Sequence, residues 1–200
     1  MSCTTAAFYF DLASPLAYLA AERVLHELPL PAEWRPVLAR ELPGAESFAA
    51  HPDGDRAGGR QDLFRAEVER RARELALQPL RWPEPFPFDS SLAMRVASYA
   101  RSIGRTVPFA QAAFRQAFAG GRSLEDPDSV LIAAAACEMH PAAVLGAAQL
   151  RSVGEALATS TAAAAELGVG DVPAIIVCGR VFAGEHVVEE AAAQMRAGER

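Results

Sequence analysis

The chain contains no lysine, and all 19 of its basic residues are arginine. Schiff-base formation and lysine general-base chemistry are excluded at the outset. Cysteine is nearly as scarce. Cys3, Cys137 and Cys178 form no C-x-x-C pair and no zinc-like spacing, which argues against a disulfide framework and a structural metal. They read as small buried hydrophobes, with Cys3 a loose N-terminal thiol. Positive charge is not concentrated anywhere. The formal net charge is -6 and the arginines are scattered, so neither nucleic acid nor an anionic membrane is the expected partner, since both need a concentrated positive field. No Lys or Arg precedes the first apolar stretch, and Asp11 interrupts that stretch too early for a secretory signal or a membrane span. The expected location is the cytoplasm.

Apolar side chains make up 51% of the 200 residues, ample for one compact core that buries roughly 70% of the unfolded surface. Residues 6 to 11 predict a short strand. From Ser14, apolar residues Leu16, Leu19, Ala20, Val24 and Leu28 recur at helical spacing until Pro29 to Pro31 end the helix. Glu33 to Leu38 predicts a second strand, parallel to the first or nearly adjacent in one sheet. Residues 43 to 60, which include His51, Asp53 and Asp55, are rich in turn formers and predict a loop.

A helical block follows. One helix starts near Asp89-Ser90-Ser91 with Leu92, Val96, Tyr99 and Ile103 on its stripe, and another carries Val107, Ala110, Phe114, Ala117 and Phe118 before Gly120-Gly121. Asp126-Pro127 and His140-Pro141 look like cap and proline starts of further helices. Arg151 to Glu166 is Ala-rich helix closed by Gly168. The period then changes. Val172 to Cys178 predicts a buried strand, Gly179-Arg180 a two-residue hairpin turn, Val181 to Ala183 its partner strand, and Glu185 to Arg196 the last helix. The order is that of an α/β, thioredoxin-like fold with a large helical insertion: residues 1–40 and 150–200 as a discontinuous thioredoxin-like domain, and 41–149 as the insertion.

Two features carry chemistry. Ser14-Pro15 has the form of a helix N-cap followed by proline, and the same geometry makes an anion site, because the helix start presents unpaired N–H groups and a positive dipole end to which a thiolate is drawn. Pro173 at the head of a strand reads as an edge-strand proline when trans. If cis, it turns the Val172 backbone outward, free to pair with an extended thiol peptide as an added strand. Trp82, Phe86 and Phe88, among prolines, form either a wall of a hydrophobic pocket or a rigid packed connection.

The strings FYFDLASPLAYLA, ERRARELALQPLRWPEPFPFDSSLAMRVA and GDVPAIIVCGRVFAGE resemble, in this order, the 2-hydroxychromene-2-carboxylate isomerases and their kappa-class glutathione transferase relatives, within the DsbA-like thioredoxin superfamily. The resemblance spans nearly the whole chain. It implies a glutathione-dependent isomerase acting on an aromatic-derived acid by thiol addition, bond rotation and thiol elimination, often as a homodimer. Ser14 would then stand where a disulfide oxidoreductase has its first active-site cysteine and would hydrogen-bond the glutathione sulfur, with Pro15 and Leu16 lining the thiol. Val172 would pair with the cysteinyl part, next to a cis Pro173, and Glu185 and His186 would face the γ-glutamyl end. Asp89 and Ser90 would contribute to the substrate side.

Two departures accompany the resemblance. Where the family reads F-W-G-x-D-R, this chain reads Phe182-Ala183-Gly184-Glu185-His186-Val187, so His replaces the aspartate that would hold the ammonium group and the arginine is lost. Glu185 could substitute one position earlier, or another low-molecular-weight thiol takes the place of glutathione. Asp89 stands where an Asn is common. The rival activities are a DsbA-like thiol-disulfide oxidoreductase, disfavoured because Ser14-Pro15-Leu16-Ala17 lacks both cysteines that exchange requires, a kappa-class glutathione transferase, and a non-catalytic thiol-binding protein in which Ser14 is only a cap.

Overall fold

A computed structural model describes residues 5–44 and 54–198. Strands β1 (Ala6–Phe10), β2 (Ala32–Pro36), β3 (Ala174–Val177) and β4 (Arg180–Ala183) form one sheet in the order β2-β1-β3-β4. β1 runs parallel to β2, through the crossover helix α1 (Pro15–Glu27), and antiparallel to β3. After β2 come a 3-10 turn (Ala39–Glu41) and helices α2 (Gly54–Glu74), α3 (Ser91–Ser102), α4 (Thr106–Phe118), α5 (Pro127–Ala135), α6 (Pro141–Gln149) and α7 (Arg151–Glu166). Helix α8 (Val187–Gly198) follows the β3–β4 hairpin. The architecture is α/β, a thioredoxin-like sheet with a long helical stretch between its second and third strands.

Alternation along β1 divides the core between the two faces of the sheet. Phe8 and Phe10 point to one face, where they meet Trp34 (ring centroids 4.9 and 5.8 Å) and Phe114 of α4 (5.9 Å from Phe10). Tyr18 of α1 stacks on Phe118 at 5.6 Å in the same cluster. Tyr9 points to the other face and packs with Val37, Val172, Ala174 and Ala164 of α7. Each buried aromatic contributes on the order of 2 kcal/mol of apolar burial, so the strand is fixed in register from both sides.

Several predicted features shift. Helix α2 begins at Gly54, so residues 54–60 are helical rather than loop. The cause lies downstream: Arg70 pairs with both Glu67 and Glu74, and once a helix is nucleated each further residue adds a hydrogen bond. His51 and Asp53 lie outside the described residues. In α3 the buried face is Ala93, Met94, Val96, Ala97 and Ala100, while Leu92 and Tyr99 are half-buried and Ile103, the C-cap, is 45% exposed. This helix packs against α4, α5, α6 and α7, so small residues let it approach several neighbours, and of the expected stripe only Val96 is fully buried.

The hairpin turn is Cys178-Gly179, one residue earlier than expected, because Val177 pairs with Arg180. Both turn residues have positive φ, 53° and 76°, the type I′ geometry whose twist matches that of the strands. Cys178 is disulfide-bonded, contrary to its reading as a buried thiol. Cys137 is free and buried, as expected, and Cys3 lies outside the described residues. No helix among the described residues is long and apolar enough to cross a membrane.

Candidate thiol site at the start of the first helix

Ser14 is the N-cap of α1, with extended backbone (φ -89°, ψ 113°), and Pro15 follows at the first helical position. Its Oγ accepts a hydrogen bond from the Ala17 N–H at 3.1 Å, and its carbonyl accepts from Tyr18 N–H at 3.0 Å. Among the described residues the Ser14 O–H donates to no acceptor, so the proton remains available at the positive end of a thirteen-residue helix. Ser14 is 1% exposed and Leu16 half-buried beside it, so an external sulfur meets the hydroxyl only after neighbouring chain shifts.

The Val172-Pro173 peptide is cis. With Tyr9 opposite Ala174 in the antiparallel register, residues 172 and 173 lie alongside residues 10 and 11, just ahead of Ser14. The Val172 N–H is not free: it donates to Asp171 Oδ1 at 2.7 Å, so an incoming strand must displace that carboxylate. The segment is braced from behind. Gly44 donates its N–H to the Gly170 carbonyl at 2.6 Å, and a Cβ on Gly44 would lie 2.5 Å from the same oxygen. Only glycine allows that approach.

Asp11 organises the space between these elements. It is 3% exposed. Its Oδ1 accepts from Ala13 N–H and its Oδ2 from Ala39 N–H, both at 2.9 Å, and the Ser90 side chain adds a further hydrogen bond. The Asp11 carbonyl also accepts from Ser14 N–H at 3.0 Å. Burial pushes the Asp11 carboxyl above its ordinary value against these hydrogen bonds and the Arg40 charge. Burial also raises Asp171, opposed by the Val172 N–H and helped by the proximity of Asp11. Raised carboxyls hold their protons longer, which reduces the negative charge facing an anion at the helix start.

Asp89 and Ser90 join this group through the Ser90 hydrogen bond to Asp11. Asp89 caps α3 through the Ser91 N–H (2.9 Å) and pairs with Arg40 at 2.7 Å, while Ser90 occupies the N-cap position without a side-chain cap of its own. The 184–186 segment joins the group through Gly184, whose N–H donates to the Pro173 carbonyl at 3.2 Å. His186 Nδ1 lies 3.2 Å from Arg71 Nη2, and Glu185 is 3.9 Å from His186 Nε2. Beyond them Glu189 binds both Arg71 (2.6 Å) and the largely buried Arg23 (3.0 Å).

The sequence profile of the DSBA-like thioredoxin domain matches residues 5–196, the stretch that holds the capped helix start, the cis-proline strand head and the four-stranded sheet. The chain belongs to the DSBA-like thioredoxin domain family. No curated protein sequence matches it. Among solved structures, a 2-hydroxychromene-2-carboxylate isomerase superposes with a TM-score of 0.83 at 18% identity, covering 96% of this chain and 95% of that one. A probable DsbA oxidoreductase from Streptomyces coelicolor gives 0.74 at 16% identity, covering 98% and 89%. The cytosolic disulfide reductase DsbM from Pseudomonas aeruginosa, solved with GSH, gives 0.60 at 14% identity, covering 98% and 99%. At these identities the likeness establishes the DsbA-like fold.

Within this DsbA-like fold the aromatic segment 82–88 is a packed connection. Trp82 meets Phe86 edge-on at 4.8 Å, Phe86 and Phe88 both reach Phe118, and Trp82 Nε1 donates to Glu69 at 2.7 Å. The Arg65 guanidinium lies over Trp82 and Phe86 at 5.3 and 5.5 Å. Sequence reasoning missed Asp11, Arg40 and Asp171. Asp11 had a signal, a charged residue at the end of a strand that is otherwise wholly apolar. Arg40, in the 3-10 turn, and Asp171, in the loop before β3, gave none.

Proposed function

We propose that the chain is a thiol-dependent isomerase of the 2-hydroxychromene-2-carboxylate type, using glutathione or another low-molecular-weight thiol on an aromatic-derived acid. The observation that carries this reading is Ser14 itself: a hydroxyl at the start of α1 that accepts from Ala17 and, among the described residues, donates to no acceptor, where thiol-disulfide exchange needs a cysteine. Position 17 is likewise alanine. Ser14 is the catalytic residue in this reading. Its O–H donates to a sulfur held as thiolate by the helix start, which lowers the thiol pKa. Pro15 and Leu16 line the sulfur, Val172 and Pro173 present the backbone edge, Glu185 and His186 meet the far end of the thiol, and Asp89 and Ser90 bound the substrate side.

The fit to glutathione is uneven along its length. The sulfur end has a donor and a helix dipole, whereas the γ-glutamyl end meets His186 and Arg71, whose carboxylate neighbours are Glu189, 2.6 Å from Arg71, and Glu185, 3.9 Å from His186. Once bound, the thiol supplies reversible addition to a carbon–carbon double bond, so the geometry changes without net redox change. Residues 1–40 and 150–200 form the thioredoxin-like unit in this scheme and 41–149 the helical insertion above it, in a cytoplasmic homodimer.

Ser14→Ala tests the reading. Loss of one such donor is expected to lower glutathione-dependent turnover of 2-hydroxychromene-2-carboxylate by about a hundredfold or more, with the far-UV circular dichroism retained. Unchanged turnover would overturn the assignment. Insulin reduction by the unmodified protein should remain at background, and reduction that depends on Cys178 would install the oxidoreductase reading instead.

A further inference from the structure

An extended ligand laid against the head of β3 pairs with two groups of Val172, its N–H and its carbonyl. The two are in different states. Among the described residues the Val172 carbonyl accepts no hydrogen bond, whereas the N–H already donates to Asp171 Oδ1 at 2.7 Å, in a bond that is only partly buried. Pro173 beyond it has no N–H, and its carbonyl is taken by Gly184. The edge is therefore one-sided: it offers an acceptor and withholds its donor.

Asp171 has strong reasons to keep that N–H. The carboxylate is half-buried, and among the described residues the Val172 N–H is its one hydrogen-bond donor and no cation pairs with it. The charge that does act on it is that of Asp11, which repels. The chain on either side is held, by the Gly44 N–H on the Gly170 carbonyl at 2.6 Å and by the cis peptide after Val172. A ligand carbonyl that takes the Val172 N–H thus strands a partly desolvated carboxylate beside another acid, and a bond to a charged acceptor is exchanged for one to a neutral oxygen.

We propose that Asp171 makes this edge selective for thiols of the N-acylcysteamine class, in which sulfur, two methylenes and an amide N–H follow one another with no carbonyl branch, over cysteinyl thiols such as glutathione. The amide N–H of an N-acylcysteamine donates to the open Val172 carbonyl and asks nothing of the Val172 N–H. A cysteinyl thiol makes the same bond but brings a carbonyl to the position where Asp171 Oδ1 already stands, so two acceptors compete for one donor. This selectivity rests on the reading of Ser14 and Val172 as a thiol site and names the thiol that site takes.

Two neutral probes isolate the carbonyl: N-acetylcysteamine, and N-acetylcysteine methylamide, which has the same sulfur and N–H with the carbonyl added. Their dissociation constants are read from titrations of the amide ¹⁵N–¹H spectrum of the full-length protein at pH 8. N-acetylcysteamine should bind more tightly by about tenfold, Asp171→Ala should abolish or reverse that preference, and Asp171→Asn, which keeps an oxygen without the charge, should retain part of it. Binding of neither probe, equal binding of both, or a preference unchanged in Asp171→Ala overturns the proposal, and the first two need no variant. Turnover of 2-hydroxychromene-2-carboxylate with each probe is followed in parallel. Absent turnover beside an intact binding preference sinks the isomerase reading and upholds the thiol class; turnover without a preference does the reverse.

Discussion

Helices α1 and α4 are each thirteen residues long and both start against the sheet, but their first turns are finished in opposite ways. α1 begins Ser-Pro, with the serine hydroxyl folded onto the Ala17 N–H and the preceding loop held by a buried aspartate. α4 begins Arg-Thr-Val-Pro, has no side-chain cap, and faces a cleft. A positive helix end is thus present twice. At α1 the protein satisfies part of it internally and leaves a single hydroxyl proton to offer. At α4 it leaves the N–H groups themselves. The first arrangement suits one atom placed closely, such as a sulfur; the second leaves the Thr106 and Val107 N–H groups without a side-chain cap, Pro108 having none to offer.

The closed end depends most on Asp11, and removing it is the strongest way to break the contrast. Asp11→Ala strands the N–H groups of Ala13 and Ala39 in a buried setting, each costing about 1–3 kcal/mol. The expected loss is about 3 kcal/mol in urea unfolding, and the Ser14 loop should gain amide exchange. A loss below about 1 kcal/mol would mean the loop is held by α1 alone. Loss of the buried carboxyl also removes a group that favours the protonated state, so the destabilisation is expected to be larger at acidic pH than at pH 8.

The elements that could be read from sequence are those whose cause is local. Ser14-Pro15, Asp126-Pro127 and His140-Pro141 each start a helix as their side chains dictate, with the expected cap bonds in place, and α7 ends in front of Gly168 at φ 88°. What could not be read depends on residues far apart in sequence. Asp11 meets Ala39 28 residues on, Arg40 meets Asp89 49 residues on, and Arg71 meets Glu189 118 residues on. Such pairs leave no periodic trace. The α3 stripe was right only at Val96 for a related reason, since a helix packed against four others has no single apolar face to announce. The candidate site was therefore half legible: the hydroxyl and the proline through motif and resemblance, the carboxylates and Arg40 only in three dimensions.

The closed end also carries its own alkaline signature. Tyr18, one turn into α1 and 2% exposed, has its phenol pushed up from 10.0 to about 12, chiefly by burial and then by the neighbouring Glu22 carboxylate, against the pull of Arg115. The unfolded chain releases this proton near pH 10 while the folded protein keeps it, so stability falls as pH rises from about 10 to 12. With no lysine in the chain, no side-chain ammonium titrates in that window. Tyr18→Phe is expected to remove a loss on the order of 2 kcal/mol at pH 12, seen as a flatter plot of urea midpoint against pH. Equal slopes in the two proteins would show that Tyr18 ionises without unfolding α1.

The smallest effect is the most direct measure of the contrast between the two helix starts. Ser14→Ala removes the hydroxyl that accepts from Ala17 and should cost about 1 kcal/mol of stability, the usual value of a lost N-cap. Arg105→Ala removes a side chain that makes no cap bond and only a long, exposed pair with Glu138 at 3.3 Å, so it should cost less than about 0.5 kcal/mol. Both are read from urea midpoints at pH 7 with unchanged m-values. If Arg105→Ala costs as much as Ser14→Ala, α4 is finished by its N-cap residue after all and its N–H groups are not open to the cleft. If Ser14→Ala costs nothing, the hydroxyl is idle in the folded chain, and its place at the tip of α1 is explained by the thiol it was positioned to meet.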